Sequence, residues 1–389
     1  MPPTQAGTGP LSGLVVIDFT MNIAGPFATR ILSDMGADVI KVERPEGDDS
    51  RRMPPTRNGS SAPFVAMNRG KRSIVLDLKK PEDMEIAKDL IRTADVVVEN
   101  MRPGKMAAVG LGFDDVKSLN RRLIYCSISG YGQDGPLALR PAYDLVVQAR
   151  TGIMSITGNE GGEPVRVGPS IIDLSSGMWA SNAICAALWK RDELGEAQHI
   201  DTSLFESGLA WMSLPFAQYE MTGEIQSRMG AQTPLAVPAD CYPTSNGYVV
   251  LAVLNNAIWR RFCSIEAFRD LAERAEFLTN EQRAVNREEL TRVLRSRFAL
   301  TSSEEWFEQL EKAAVPCDRL GTPDTIAQDP QAQARGSMSV TASTELGNPI
   351  ATINLPVKNK SYPKQQAGDQ SAPGLGEHSD EIRKGMTRR

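Results

Sequence analysis

The chain has 389 residues, past the size at which one hydrophobic core stops growing, so at least two domains are expected and a small binding module is excluded. With 41% apolar and 23% charged residues it has the composition of a soluble globular protein, neither disordered nor fibrous. Forty-three basic against forty-eight acidic residues leave a net charge of −5, so there is no overall positive field for DNA, RNA or an anionic membrane, and an anionic ligand must meet a local basic cluster.

In chain order, GLVVIDF (13–19), PFATRILSDMGA, DVIKVER (38–44), SIVLDL (73–78), a helical stretch near 81–93, DVVVEN (95–100) and LIYCSIS (123–129) alternate β-branched runs with helical patterns. That alternation predicts βαβ units on a buried parallel sheet, a Rossmann-like layer architecture. Ligands of such sheets gather at the carboxyl ends of the strands, which singles out Asn22 to Ala24, Arg44, Lys79, Asn100 to Arg102, and Gly130 onward. SSGMWASNAICAALWKR (175–191) has helical spacing, and HIDTSLFE reads as a strand entering a helix near 203–222. Residues 223–240 break the pattern, and DCYPTSNGYVVLAVL predicts a hairpin turning at Asn246-Gly247. Helical patterns near 256–274, 285–298 and 303–313 and a strand in VPCDRLG (315–321) continue a smaller α+β domain. The tail, with Pro356, Pro363 and Pro373 in polar surroundings, is expected to be extended. The predicted division is a large domain over 1–222, a small one over 223–324, and a return segment over 325–389.

Gly130-Tyr131-Gly132-Gln133-Asp134-Gly135 has the G-x-G-x-x-G form of a dinucleotide loop. The fingerprint needs a helix to start at the glycines, however, and Pro136 follows instead, so a glycine-rich turn is the expectation. Asn68-Arg69-Gly70-Lys71-Arg72-Ser73 lacks the earlier glycine and the leading strand of an ATP-binding loop. Asp173, between an extended run and a helix, reads either as an N-cap or as a cleft-facing carboxylate, and spacing does not decide between them. The basic residues of the first third, among them Arg44, Lys79, Arg102 and Lys105, read either as a solvated rim or as contacts to a phosphorylated ligand.

Five scattered cysteines without a Cys-x-x-Cys pair point to a reducing cytoplasm and give no zinc site. MPPTQAGTGP lacks the layout of a signal peptide, and no apolar run is judged to approach the ~18 residues that span a bilayer. Only His199 and His378 are present, so neither a metal site nor an imidazole triad is expected and carboxylates are the expected reactive groups.

The segments GLVVIDFTMNIAGPFATRILSDMGADVIKVERPEGDDSR, MNRGKRSIVLDLKKPE, ADVVVENMRPGKMAAVGLGFDDV, AYDLVVQARTGIMSITG and IIDLSSGMWASNAICAAL, with VPCDRLGTPDTIAQDPQAQARG and APGLGEHSDEI further on, resemble the class III CoA-transferase family nearly end to end. The resemblance implies an interlocked homodimer and an EC 2.8.3 enzyme with no permanently bound cofactor, using a coenzyme A thioester as co-substrate. It further implies that CoA passes from an acyl-CoA donor, such as succinyl-CoA, to a carboxylic acid through anhydride and thioester intermediates on Asp173, with Asp144 as an acidic neighbour. An aspartate of reference pKa ~3.9 would be ionised at neutral pH without a base. Asn22, Ile23 and Ala24 are expected along the CoA path, Arg44 at the phosphates, Leu76, Lys79, Asn100 and Met101 at the adenosine and diphosphate, and Arg102 and Arg140 as added charge. Formyl-CoA transferase has an arginine where this chain has Ala108, so Lys105 or Arg102 is expected to substitute; its glycine-run lid has no counterpart in 223–240. Arg150 and Arg166 are candidates for binding a second carboxylate of a dicarboxylic substrate. The alternatives are an α-methylacyl-CoA racemase or isomerase, for which Tyr143 and Asn255 or Asn256 are poor acid–base groups, and a non-catalytic acyl-CoA binding homologue.

Overall fold

The computed structural model describes residues 9–342, 348–358, 361 and 371–386; the leading residues and Pro363 of the tail lie outside these. The chain forms two compact units. One comprises the residues up to Ile153, then Arg166–Glu224 and the residues from Pro330 onward; the other comprises Met154–Val165 and Ile225–Asp329.

In the large unit, strands β1 (Val15–Asp18), β2 (Asp38–Glu43), β3 (Arg72–Val75), β4 (Val96–Glu99), β5 (Ile124–Ser129) and β6 (Gln198–Ser203) form one sheet in the order 3-2-1-4-5-6. All neighbours are parallel. This is the doubly wound order, whose crevice lies between the carboxyl ends of β1 and β4, where the winding reverses. Both faces of the inner strands are covered, so β1, β2, β4 and β5 are almost wholly buried, while the edge strand β6 is only partly buried. On one face Val16, Val39, Val96, Val98 and Ile124 pack with Ala28, Leu32, Ile172, Ala180 and Ile184. On the other, Ile17, Ile40, Ile74, Val97 and Tyr125 pack with Leu90 and Ile91 of α2 (Pro81–Thr93).

The helices of the first face set the site. They are α1 (Ala24–Asp34), α3 (Asp144–Arg150) and the long α4 (Ile171–Leu194), followed by α5 (Leu204–Trp211) and α6 (Ser213–Thr222). A Cβ at Gly177 of α4 would lie 2.7 Å from the Ala24 carbonyl oxygen and 3.1 Å from the Ala28 nitrogen, so glycine there lets two backbones touch. By length and composition α4 would suffice to cross a bilayer, which corrects the sequence expectation. It is placed instead with Ile172, Ser176, Gly177, Ala180 and Ile184 in the core. The G-x-G-x-x-G segment is a turn, with Gly132 at φ +94 and Gly135 at φ +81, and no helix begins before α3.

In the small unit β7 (Ala239–Pro243) and β8 (Tyr248–Ala252) form the antiparallel hairpin around Asn246-Gly247, and β9 (Cys317–Arg319) adds to the outer edge of β8. The Thr244 amide donates to the Gly247 carbonyl at 2.9 Å across the turn. Its core is aromatic: Tyr242, Trp259, Phe262, Phe268, Phe277, Phe298 and Trp306. The sequence placed all of 1–222 in the large domain, but Met154–Val165 groups with the small unit. The Arg228 guanidinium donates to the Gly162 carbonyl at 2.7 Å, and the Gly230 amide donates to Gly158 at 2.8 Å. These are pairings between segments far apart in sequence, and local composition does not register them.

The residues after Pro330 return to the large unit. A hairpin, Met338–Thr341 with Ile350–Ile353, forms within what sequence pattern read as an extended tail. The last helix, Ser379–Met386, lies against β3, with the His378 amide donating to the Ser73 carbonyl at 3.0 Å and the Val75 amide donating to Ser379 Oγ at 3.2 Å. The open edge of the sheet thereby has its backbone groups satisfied.

Beneath the carboxyl ends of β1 and β2 sit four buried charges. Lys71 Nζ donates to Asp18 Oδ2 (2.9 Å), the Pro26 carbonyl (3.0 Å) and Asn68 Oδ1 (2.8 Å). Lys41 Nζ lies 2.8 Å from Asp48 Oδ2 and donates to the Thr20 carbonyl at 2.7 Å. Burial opposes ionisation of Asp18, but Lys71 and Lys41 outweigh it and hold the carboxyl down at about 2. Burial pushes Lys71 down to about 8 against the pull of Asp18.

Removing one partner of such a network leaves a buried charge uncompensated. Lys71→Met is expected to cost about 3–5 kcal/mol in urea unfolding. Gly177→Val, which forces α4 from α1, should cost about 2–3 kcal/mol in the same assay.

Candidate active site

A cavity of about 320 Å³ opens at the carboxyl end of the sheet, over the reversal between β1 and β4. Its walls come from the β1–α1 turn (Met21, Asn22, Ile23, Ala24), the residues after β4 (Asn100, Met101, Arg102, Pro103), the end of β5 (Ile128, Ser129, Gly130), the stretch from Ala138 to Tyr143, Met53, Leu204 and Asp173.

The β1–α1 turn is held from below. Asn22 stands at φ +67, a left-handed conformation that asparagine tolerates better than most residues. Its amide donates to Asp48 Oδ1 at 3.1 Å, and Asp48 is the partner of the buried Lys41. Met21 is bracketed by the Asn100 side chain, which accepts from the Met21 amide and donates to its carbonyl, both at 2.8 Å. Chain direction then points the start of α1 at the cavity. The amides of Ala24 and Gly25 lie in its first turn, where no intrahelical acceptor exists, and among the described residues neither finds another partner. Such amides suit an oxyanion or a thiolate.

Asp173 lies in the first turn of α4, half-buried, in the wall of this cavity. It does not cap its own helix. That task falls to Asp144 at the start of α3, whose Oδ2 accepts from the Ile172 amide at 2.8 Å and the Asp173 amide at 3.2 Å. Asp144 is fixed in turn by Gln148 Nε2, which donates to its Oδ1 at 2.5 Å, while Gln148 Oε1 accepts from the Val167 amide at 2.9 Å. The Asp173 carboxylate accepts no hydrogen bond from any described residue. Burial and, secondarily, the Asp144 charge raise its pKa to about 7. Desolvation and the Asp144 charge therefore oppose the full ionisation at neutral pH expected from the reference value.

Of the residues singled out in the sequence, the structure brings together Asn22, Ile23, Ala24, Asn100, Met101, Arg102, Arg140 and Asp173. The others lie outside the cavity wall. Asp144 stands behind Asp173 as a positioning residue. Arg44 pairs with Asp49 and donates to the Gly47 carbonyl within its own loop. Leu76 is 1% exposed in the core of the opposite face. Lys79 and Lys105 are exposed beyond the ends of β3 and β4. Met53, Ser129, Tyr143 and Leu204 line the cavity without having been singled out for it. Gly130 was flagged only as a strand end, and its role is steric: a Cβ there would lie 2.5 Å from that of Ala142. Among the described residues no group of three or more His, Cys, Asp and Glu is placed to hold a metal ion.

The chain belongs to CoA-transferase family III, which its sequence matches over residues 11–379, and it is accordingly an enzyme acting on coenzyme A thioesters. It is 38% identical over 381 residues to the succinate–glutarate CoA-transferase of Agrobacterium fabrum, an alignment covering 96% of this chain and 94% of the other. It is 36% identical over 383 residues to the human succinyl-CoA:glutarate CoA-transferase, covering 97% and 86%. Among solved structures, a CaiB/BaiF family protein from Brucella suis superposes with a TM-score of 0.88 at 34% identity, over 97% of this chain and all of that one.

The folded-state pKa of Asp173, about 7, exceeds its unfolded value of ~3.9, so the folded state loses stability as pH rises from about 4 through 7. Asp173→Asn should therefore be more stable than the parent at pH 8, by about 1–2 kcal/mol once solvent screening at the half-exposed side chain is allowed for, with the difference vanishing near pH 4. Thermal unfolding across that pH range is the measurement.

Proposed function

We propose that the enzyme moves CoA between dicarboxylic acids, with succinyl-CoA as donor and a C5 diacid such as glutarate as acceptor, by covalent catalysis on Asp173. The observation that carries this reading is a carboxylate without a hydrogen-bond partner among the described residues, at a helix start in the wall of a cavity at the sheet reversal that the start of α1 also lines. The names of the relatives supply the substrate class.

An Asp173 oxygen attacks the thioester carbonyl, the carbon–sulfur bond breaks, and CoA thiolate leaves a mixed anhydride. The thiolate then attacks the aspartyl carbonyl, expelling the donor acid as carboxylate and leaving an aspartyl-CoA thioester. The acceptor carboxylate reverses both steps, and Asp173 is regenerated as a carboxylate. No net proton moves, so no histidine is needed. The Ala24 and Gly25 amides would hold the tetrahedral oxyanions or the thiolate. Asn22 to Ala24 and Asn100 to Arg102 would line the pantetheine and nucleotide path, with Arg44, Lys79 and Lys105 available only to CoA phosphates that reach beyond the cavity.

The working enzyme is proposed to be a homodimer. Helix α6 buries no residue, and Trp211, Leu214, Phe216 and Met221 of α5 and α6 are exposed. A ten-residue helix does not hold its shape in water alone, and a second copy threaded along it would supply the missing packing. Five cysteines without a disulfide fit a reducing cytoplasm.

After mixing with succinyl-CoA and trapping with hydroxylamine or borohydride, mass spectrometry should place the modification on Asp173 and find none in Asp173→Ala. An unmodified Asp173, together with solvent-deuterium exchange at the α-carbon of a lone acyl-CoA, would replace this reading with racemase chemistry. Because the attacking group is the ionised form, kcat/KM for the donor should rise with pH and level off above about 7. Asp144→Asn removes the neighbouring charge and should move that limb to lower pH, a shift that mere loosening of α4 would not produce.

A further inference from the structure

Glu99, the last residue of β4, is 5% exposed and carries a carboxyl group that the proposed chemistry does not use. Other buried carboxylates of the large unit face a cation: Asp18 faces Lys71, Glu43 faces Arg51, Asp48 faces Lys41 and Asp83 faces Arg383. Among the described residues Glu99 has no such partner. Burying a carboxylate without a counter-charge destabilises the fold, so its presence calls for a reason. What it holds is backbone. Its Oε2 accepts from the Met101 amide at 2.8 Å, where the chain leaves the sheet, and Met101, Arg102 and Pro103 go on to form part of the cavity wall that includes Asp173. Asn100, between them, is committed through its side chain to Met21. The neighbouring strand adds a second tie: the Ser127 hydroxyl of β5 hydrogen-bonds the Glu99 carboxyl and lies 3.0 Å from His199 Nε2 on β6.

Resting on the reading of this cavity as the thioester site, we propose that Glu99 is a positioning residue for substrate binding: ionised, it holds the Met101 amide and with it the Met101–Arg102 wall in the shape that accepts the thioester, and protonation releases that hold. A carboxylate binds an amide about twice as strongly as a neutral acceptor does. Burial, with the Asp201 charge on β6 as a lesser contribution, pushes Glu99 up to about 7 against the pull of the Ser127 hydroxyl and the Met101 amide, so the hold changes near neutral pH. The other titratable groups on the elements around it do not compete. Burial keeps Tyr125 and Cys126 of β5 neutral, and desolvation holds His199, stacked 4.8 Å from Phe113, below its ordinary value. Asp18 of β1 is engaged with Thr29 and Lys71, Asp115 accepts from the Gly112 amide, and Arg102 and Lys105 are exposed.

The test is the affinity for coenzyme A, measured by calorimetry from pH 6 to pH 8.5 in Asp173→Asn protein, which lacks the other group that titrates near 7, with and without Glu99→Gln. A phosphate of the ligand ionises in the same range but is common to both proteins, so the ratio of their dissociation constants is the readout. At pH 8 Glu99→Gln should weaken binding about fivefold. The ratio should fall toward one at pH 6, where Glu99 is itself protonated. Loosening of the end of β4 by the substitution alone would give a ratio independent of pH. Glu99→Asp, which can accept the same amide in an Asx turn, should recover part of the affinity at pH 8. A ratio that stays at one, or that does not change with pH, overturns the role given to Glu99; failure of the parent to bind coenzyme A overturns the reading of the cavity and this proposal with it. The folded-state pKa of Glu99 exceeds its unfolded value of ~4.3, so the fold loses stability as pH rises from about 4 through 7, and Glu99→Gln should melt at a higher temperature than the parent at pH 8 while binding more weakly. Should Glu99→Gln fail to fold, Ser127→Ala decides: without the hydroxyl that favours the ionised form, the pH dependence of affinity should move upward, and an unmoved profile overturns the proposal.

Discussion

Four charged side chains buried beneath the β1–α1 turn set the geometry of everything above them. Lys41, Asp48, Lys71 and Asp18 compensate one another where no water reaches, and each spends its remaining hydrogen-bonding capacity on backbone or on neighbouring polar groups. Asp18 accepts from the hydroxyls of Thr20 and Thr29, at 2.5 and 2.7 Å, and so ties β1 to α1. Asp48 reaches the amide of Asn22, the residue whose left-handed backbone turns the chain into the helix. An apolar cluster of the same volume would bury as much surface but would not fix the direction of the Asn22 and Ala24 amides. Directional bonds at this depth specify the turn as well as stabilise it.

The same division of labour appears at Asp173. Helix starts ordinarily use their own aspartates as caps, and a carboxylate so occupied is a poor nucleophile. Here Asp144 of another helix takes the first amides, leaving Asp173 in the cavity wall with its oxygens unengaged. Desolvation and the Asp144 charge make that carboxylate more basic than one in water. Basicity and nucleophilicity rise together, so the groups that hold the helix also sharpen its reactive residue. The close approach at Gly177 holds α4, which carries this carboxylate, against the start of α1.

Much of this was legible in the sequence because the governing signals are local. Alternating β-branched runs gave the strands, Asn246-Gly247 gave the hairpin, and Pro136 marked the glycine segment as a turn. The residues trailing β1, β4 and β5 line the cavity. Those trailing β2 and β3, Arg44 and Lys79, do not, because sequence shows which residues follow strands but not how strands are ordered. The 3-2-1-4-5-6 order puts β2 and β3 to one side of the reversal. Leu76 lies away from the cavity for a related reason, its side chain turning into the core of the far face. The commitment of Met154–Val165 to the small unit depends on Arg228, dozens of residues away. The local spacing around Asp173 does not separate its two readings, because the group that caps the helix in the structure, Asp144, is remote in sequence.

The return of the C-terminal segment to β3 bears on how the protein is made. A ribosome emits β1 to β6 well before His378 and Ser379, and until those residues emerge β3 stands as an open parallel edge with unsatisfied amides and carbonyls. Nascent or prematurely terminated chains would display a template for pairing with other strands, while the finished chain covers it. The last helix thus closes that interval, and a chain lacking it would keep β3 as an open edge while retaining every residue of the cavity wall.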